Sequence, residues 1–305
     1  MSAPRNRTLR LTRAEERRLQ GRLTSLTPAS SLKTTLDKTI HQDLFAALPL
    51  LPAACADMIF IDPPYNLNKS FGTSIFRART LEAYAEWLES WLPSVLRTAK
   101  PQATVYLCGD WRSSPALHQV AAKYLTIRNR ITWEREKGRG AVHNWKNSSE
   151  DIFFCTCSEE YYFSVEAVKL RRRVLAPYRN ASGEPKDWQQ SAKGNYRDTF
   201  PSNLWTDVTI PFWSMPENTN HPAQKPEKLL AKLILASTRE GGLVLDPFLG
   251  SGTTSVVAKK LGRHWMGIEQ NLEYCLLAEK RLEMAETDRT IQGYEDGVFW
   301  ERNSR

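Results

Sequence analysis

The stretch ADMIFID, residues 56–62, is an apolar run that ends abruptly in Asp62-Pro63-Pro64-Tyr65. Such a run, bounded by turn residues, is the pattern of a parallel strand buried on both faces. The prolines keep Asp62 and Pro63 extended, because a residue before proline avoids the helical region. A rigid loop therefore presents a carboxylate, a carbonyl and an aromatic ring at the mouth of a core strand. The plainer alternative is a proline-rich turn with Asp62 as a cap.

Strand and helix signals alternate on either side of this point. TLEAYAEWLESWLPSVLRTAK, residues 80–100, carries Tyr84, Trp87, Leu88, Trp91, Leu92, Val95 and Leu96 at helical spacing, with Thr80 as cap and Pro93 as a kink. ATVYLCGD is the next strand, and LTIRNRITWERE and SEDIFFCTC predict two more. Residues 164–218 have no clean period and are basic, Pro-rich and aromatic, which predicts a loop-rich insertion. Order resumes with a helix from Pro226 and the strand LVLDP. The alternation predicts an α/β fold divided into a basic N-terminal extension (1–34), a first half (35–163), the insertion (164–218), a second half (219–286) and a C-terminal tail (287–305).

The second half holds a second informative turn. Gly250-Ser251-Gly252 joins the strand ending at Asp246 to a helix running to about Leu261; Gly262 ends that helix, and HWMGIE forms the next strand, finishing in Glu269. Glycines there permit a tight turn and close backbone approach to a ligand over the helix N-terminus. An acid closing the second strand is placed to grip ribose hydroxyls, so the spacing is that of a nucleoside-cofactor site. It is not a dinucleotide fingerprint, which needs a third glycine where Ser255 stands, nor a phosphate loop, which needs Gly-Lys-Ser/Thr.

Composition narrows the partners. Lys and Arg number 42 against 34 Asp and Glu, a formal charge of +8, which suggests a polyanion. Seven of the arginines (Arg5, Arg7, Arg10, Arg13, Arg17, Arg18, Arg22) lie in the first 22 residues, where Thr12 and Glu15 match a capping box. That segment is either a solvated tail or a phosphate-contacting arm. Five scattered cysteines without zinc spacing imply reduced thiols and no metal, and no apolar run nears the roughly 18 residues a membrane span needs. A cytoplasmic protein is expected.

DPFLGSGTT resembles the S-adenosylmethionine loop of amino-group DNA methyltransferases, and DPPY resembles the catalytic motif of the same family. With the catalytic motif first and the basic segment between the two, the order resembles the beta group, over roughly residues 35–285. The resemblance implies a Rossmann-like methyltransferase fold, circularly permuted, with S-adenosyl-L-methionine as cofactor and target recognition in the insertion. It implies double-stranded DNA as substrate in a bacterial or archaeal cell, a possible cognate restriction endonuclease, and a monomer or homodimer. Asp at the head of the tetrapeptide usually accompanies N6-adenine methylation. N4-cytosine methylation is the alternative, and a catalytically idle DNA-binding protein is a third reading.

The family chemistry fits these residues. An exocyclic amino group is a poor nucleophile and needs acceptors that hold its hydrogens and stabilise the developing positive charge. Asp62 and the Pro63 carbonyl are those acceptors, Pro64 fixes the loop, and Tyr65 stacks on an extruded base. The resemblance assigns Asp246, Pro247, Phe248, Gly250, Ser251, Gly252, Thr253 and Glu269 to the cofactor, with Asp43 at its adenine. NHPAQKP resembles the family segment before the cofactor strand. It adds His221, Gln224 and Lys225, the last pairing with the methionine carboxylate. Gly138, Arg139, Gly140 and Asn147 resemble a closing loop, with Arg139 and Asn147 towards DNA. Arg171, Arg172 and Arg173 lead the expected DNA-contacting charges, beside Lys169, Arg179, Lys186, Lys193 and Arg197 and interleaved with Tyr178, Trp188, Tyr196 and Trp205.

Overall fold

The computed structural model describes residues 6–28, 30–71, 74–135, 142–174, 178–191 and 194–301. Arg5, Gly138, Arg139, Gly140 and Lys193 lie outside them. Helix α1 (Arg13–Gln20) and the single turn α2 (Leu32–Thr35) precede β1 (Lys38–His41), the turn α3 (Leu44–Ala47) and β2 (Ala56–Ile61). A hairpin of β3 (Lys69–Phe71) and β4 (Ser74–Phe76) leads to α4 (Leu81–Glu89), α5 (Leu92–Leu96), β5 (Ala99–Gly109) and α6 (Ser114–Ala121). Then come β6 (Thr126–Glu134), β7 (Ser149–Thr156), β8 (Leu170–Arg173), β9 (Gln189–Ser191), β10 (Gly194–Thr199) and β11 (Leu204–Trp205). The chain continues through α7 (Glu227–Ser237), β12 (Leu243–Asp246), α8 (Thr253–Lys260), β13 (His264–Glu269) and α9 (Leu272–Thr287), and ends in β14 (Tyr294–Glu295) and β15 (Val298–Trp300).

Eight strands form the central sheet in the order β1-β13-β12-β2-β5-β7-β6-β11. Its pairings are parallel except those of β7, which runs against both β5 and β6. The pleat explains why β2 is apolar from Met58 onward. Ile59 and Ile61 pack with Leu88, Trp91 and Val105 on one face, and Met58 and Phe60 pack with Leu229, Leu233 and Val257 on the other. Helices therefore cover both faces, as the alternating pattern requires. Pro93 separates two helices rather than kinking one: α4 stops at Glu89, and the proline sits in the first turn of α5, where its missing N–H costs nothing.

Two parts of the expected organisation differ. Residues 164–218 are not simply loops, because β8, β9 and β10 build a second sheet of order β14-β15-β8-β10-β9. Residues 287–305 are not simply a tail: β15 pairs in parallel with β8, Phe299 opposite Leu170, and Phe299 is fully buried. Four of these strands offer two to four residues, too few to display a period of two, and the six of β10, GNYRDT, show no apolar alternation.

The N-terminal segment is docked rather than solvated. Thr12 and Glu15 form the expected capping box. Leu19 is buried, Arg18 makes a two-pronged contact with Glu283 on α9 at 2.6 and 2.7 Å, and Lys280 of α9 reaches Glu15 at 2.5 Å. Exposed pairs of this kind are screened by solvent and contribute little, so the burial of Leu19 is the stronger anchor.

If β15 is part of the folded unit, Phe299→Ala should lower the unfolding free energy by about 3–5 kcal/mol in urea denaturation. A loss below about 1 kcal/mol would mean that the C-terminal strand is not coupled to the core.

Candidate active site

The two informative turns meet because their strands are neighbours. β2 and β12 pair in parallel, Met58 opposite Val244 and Ile59 opposite Leu245, so Asp62 and Asp246 emerge at the same sheet edge. On the far side of β12, β13 brings Glu269, and β1 beyond it leads to Asp43. A cavity of about 300 Å³ opens across these ends, and Asp43, Asp62, Pro63, Pro64, Tyr65, Pro247, Phe248, Gly250, His221 and Glu269 all line it.

On the side of the glycine turn, Glu269 accepts the Gly250 N–H at 2.9 Å and the Asn271 N–H at 2.7 Å. Burial raises its pKa, opposed by these backbone donors. Asp43 caps α3 by accepting the Ala46 N–H at 3.2 Å. Gly250 has φ +55°, and a Cβ there would lie 3.0 Å from the His221 ring. Burial, then the nearby Lys225 and Lys69 charges, pulls the His221 pKa down to about 3, so the ring is neutral near pH 7.

Several residues expected at the cofactor also hold the scaffold together. Asp246 is buried, accepting the Phe248 N–H at 2.9 Å and the Thr254 hydroxyl at 2.6 Å. Asp246, Ser251 and Thr253 line a small pocket that shares Asp62, His221, Phe248 and Gly250 with this cavity, and Gly252 lines neither. A Cβ on Gly252 (φ +84°) would meet the Cβ of Ala278 at 2.5 Å, so this glycine is required for the close approach of α9. The Thr253 hydroxyl donates to the Lys225 carbonyl at 3.0 Å and accepts from Arg281 at 2.9 Å. Gln224 is spent on its own turn, accepting from the Thr219 N–H at 2.9 Å and donating to the Glu217 carbonyl at 2.7 Å.

The side of the tetrapeptide holds a buried charge network. Lys225 does not face a free carboxylate-binding position. Its Nζ lies 2.5 Å from Asp62 Oδ2 and 3.4 Å from Glu150 Oε2. Burial opposes the lysine charge, but Asp62 and Glu150 outweigh it and hold the pKa above the ordinary value. The Tyr65 hydroxyl lies 2.9 Å from Asp62 Oδ1 and 3.0 Å from Glu150 Oε2. Glu150 Oε1 accepts from Arg135 at 2.5 Å. Burial would raise the Glu150 pKa, yet Lys225 and Arg135 bring it below the usual carboxylate value. Glu150 and Arg135 escaped the sequence reading, which took their strands as plain sheet. The acid pair Glu150-Asp151 heading the apolar run IFF was the available signal.

The expected DNA-contacting residues separate. Asn147 is exposed in the segment between β6 and β7. Arg171 is engaged with Asp198 at 2.7 and 2.8 Å, Arg172 lies 3.7 Å from Glu301, and Arg173 is exposed. Strand alternation splits the triplet, so it does not act as one basic cluster. Trp188 and Trp205 are buried within the fold rather than offered for stacking, whereas Tyr178 is exposed. Among the described residues, no group of three or more His, Cys, Asp or Glu is placed to hold a metal ion, and no helix is long and apolar enough to cross a membrane.

Comparison with known proteins agrees with this geometry. A family model described as DNA methylase matches residues 56–280. The chain is 34% identical over 253 residues to the DNA adenine methyltransferase YhdJ of Escherichia coli K12, covering 81% of this chain and 82% of the relative. It is 30% identical over 249 residues to the type II methyltransferase M.HpaI of Haemophilus parainfluenzae, covering 81% and 74%. The solved PvuII DNA methyltransferase, described as cytosine-N4-specific, shares the fold with a TM-score of 0.60 at 18% identity, over 80% of this chain and 85% of that one.

The buried Asp246 gives a pH test of the scaffold. Burial lifts its pKa to about 7 in the folded chain, well above a solvated carboxylate. The folded state then binds more protons than the unfolded one between about pH 4 and 7, so this group's contribution to stability falls as pH rises through that window. Asp246→Asn, which keeps an acceptor for the Phe248 N–H, should be less stable or equal at pH 4 and gain on the wild type by a few kcal/mol by pH 8. Denaturant melts showing a pH-independent difference would refute the assignment.

Proposed function

The chain belongs to the N6/N4 DNA methylase family, and we propose that it transfers a methyl group from S-adenosylmethionine to the N6 amino group of adenine at a specific sequence in double-stranded DNA. The observation that carries the reading is one cavity shared by an Asp-Pro-Pro-Tyr carboxylate and a ribose-type acid, Asp62 and Glu269. One group suits the acceptor and the other the donor of a methyl transfer. A bacterial or archaeal cytoplasm is the proposed setting. Where the cell encodes a cognate restriction endonuclease, protection of its site is the proposed role.

The lining fits the cofactor's chemistry. Phe248, Leu44 and Ile268 supply apolar walls for a purine, with Asp43 at their edge. Glu269 uses one lone pair of each oxygen on a backbone N–H, which leaves acceptor capacity for ribose hydroxyls. When bound, the cofactor supplies an electrophilic methyl group on a positively charged sulfur. Asp62 and the Pro63 carbonyl then hold the amino hydrogens and orient the nitrogen lone pair, and Asp62 passes the departing proton to water. The Tyr65 ring lines the cavity and offers a face for stacking the extruded base, with its hydroxyl fixing the ring from behind.

Adenine is favoured by the Asp at the head of the tetrapeptide and by the Escherichia coli relative's description as an adenine methyltransferase. The segment between β6 and β7 is the proposed DNA-facing element nearest the chemistry. Its roots, Arg135 and Glu150, belong to the Tyr65 network, and Trp145 within it is 93% exposed. Expression in methylation-free bacteria, followed by sequencing that detects modified bases, tests activity, base and site together. Unmodified DNA would overturn the proposal, and N4-methylcytosine would move it to the other base.

Asp62→Ala should slow transfer by about 100-fold or more with S-adenosylmethionine affinity largely kept, since losing one oriented acceptor costs on the order of 3 kcal/mol. Glu269→Ala should do the reverse and weaken cofactor binding about tenfold or more in calorimetry. Near-normal turnover in the first, or unchanged affinity in the second, would remove the assigned role.

A further inference from the structure

This inference rests on the methyltransferase reading and concerns how Asp62 becomes available to its substrate. Each oxygen of Asp62 already accepts one hydrogen bond, Oδ2 from Lys225 at 2.5 Å and Oδ1 from the Tyr65 hydroxyl at 2.9 Å, so an incoming hydrogen on either oxygen shares it with a donor and is held more strongly if that donor leaves. An amino hydrogen needs a good acceptor direction on that carboxylate. The Lys225 contact is charge-assisted and buried, so it is the harder one to break. The Tyr65 contact is different in kind. A phenol has a single hydrogen, and two carboxylate oxygens lie within its reach, Asp62 Oδ1 at 2.9 Å and Glu150 Oε2 at 3.0 Å. The phenol oxygen also accepts from Lys225 at 3.2 Å, which leaves its hydrogen to serve one carboxylate or the other.

We propose that Glu150 is a positioning residue: it takes the Tyr65 hydroxyl hydrogen when the target amino group arrives and so releases Asp62 Oδ1 to accept an amino hydrogen. The change needs only rotation of the O–H about the ring–oxygen bond, with no heavy atom displaced. Arg135 holds Glu150 Oε1 at 2.5 Å and thereby aims Oε2 at the phenol. Lys225 stays on Asp62 Oδ2 throughout, and the alternate acceptor is a charged carboxylate, as good a partner as the one given up. Without Glu150 the hydroxyl hydrogen would remain on Asp62, and the amino hydrogen would share Oδ1 with it as a weaker acceptor.

Glu150→Gln tests this. Arg135 draws the amide oxygen towards itself, which turns the amide NH₂ to the phenol and fixes the hydroxyl hydrogen on Asp62. Single-turnover transfer of labelled methyl to plasmid DNA from methylation-free bacteria should fall about tenfold or more while S-adenosylmethionine affinity stays near wild type, and the melting temperature should fall because Lys225 and Arg135 lose one of the cluster's two carboxylates. The same substitution made on a Tyr65→Phe background should cost less than about threefold, since no hydroxyl remains to be diverted. Glu150→Asp keeps the charge facing Lys225 and Arg135 but shortens the reach to the phenol, and it should show the same coupling if the amide variant folds poorly. Equal penalties with and without the Tyr65 hydroxyl, in both Glu150 variants, would overturn the proposal and leave the methyltransferase reading standing. No transfer by the wild type to any such DNA would overturn both.

Discussion

The site depends on the parallel pairing of β2 with β12, two strands separated by most of the chain. Only two residue pairs are in register, Met58 with Val244 and Leu245 with Ile59, yet they set the Asp-Pro-Pro-Tyr turn beside the glycine turn. A parallel pair cannot be joined by a tight hairpin, so everything between must leave the sheet and return. The intervening chain uses that excursion to build β5, β6 and β7, three of the five strands of the second sheet, and α7. The apolar character of β2 on both faces is the energetic counterpart, since its side chains supply both helical layers and fix the register that aligns the motifs.

Burying Lys225 between two carboxylates is the second constraint. An isolated buried ammonium would be prohibitive, and even a single pair gains little once desolvation is counted. Asp62 and Glu150 together carry two negative charges against Lys225 and Arg135, so the cluster is neutral by formal count. The scaffold behind the glycine turn follows the same rule. Arg281 and Lys260 face Glu227, and Arg281 also holds the Ser251 carbonyl. The carboxyl of Glu217, buried beside Glu227, is pushed up to about 7. Both turns thus stand on buried ionic groups whose geometry is set by several partners at once, which keeps the cavity walls fixed before any ligand enters.

Much of this was legible in the chain itself. The apolar runs, the capping box at Thr12, the glycine turn and the strand ending in Glu269 announce themselves locally, because each is a contiguous pattern with a physical cause. The illegible parts are those decided by distant contacts. Gly252 looks like a glycine kept for a ligand alone until α9 is in place and Ala278 is seen to need the space. Lys225 looks like a partner for a free carboxylate until β2 delivers Asp62 beside it. Arg171 to Arg173 look like one basic cluster until strand pairing sends them to different partners. Glu150 carries no local signal beyond its charge, since its role is fixed by β7 lying two strands from β2 across β5.

Hydrogen-bond accounting separates the acids that these motifs make look alike. Asp246, Asp62 and Glu269 each end an apolar strand at the same sheet edge. Asp246 accepts a bond on each oxygen from the turn and helix that follow it, and faces only a small pocket beside the cavity that Asp62 and Glu269 share. Glu269 is held by two backbone N–H groups that cannot leave, which pins the carboxylate while its remaining lone pairs face the cavity. Asp62 is held by two side chains, and one of them, the Tyr65 hydroxyl, has an equivalent acceptor within reach. A carboxylate that must receive a substrate hydrogen has to be both oriented and releasable. Backbone donors give orientation alone, and solvent gives release alone. A phenol shared between two carboxylates gives both, which is why an acid such as Glu150, far from the motif in sequence, belongs to its chemistry.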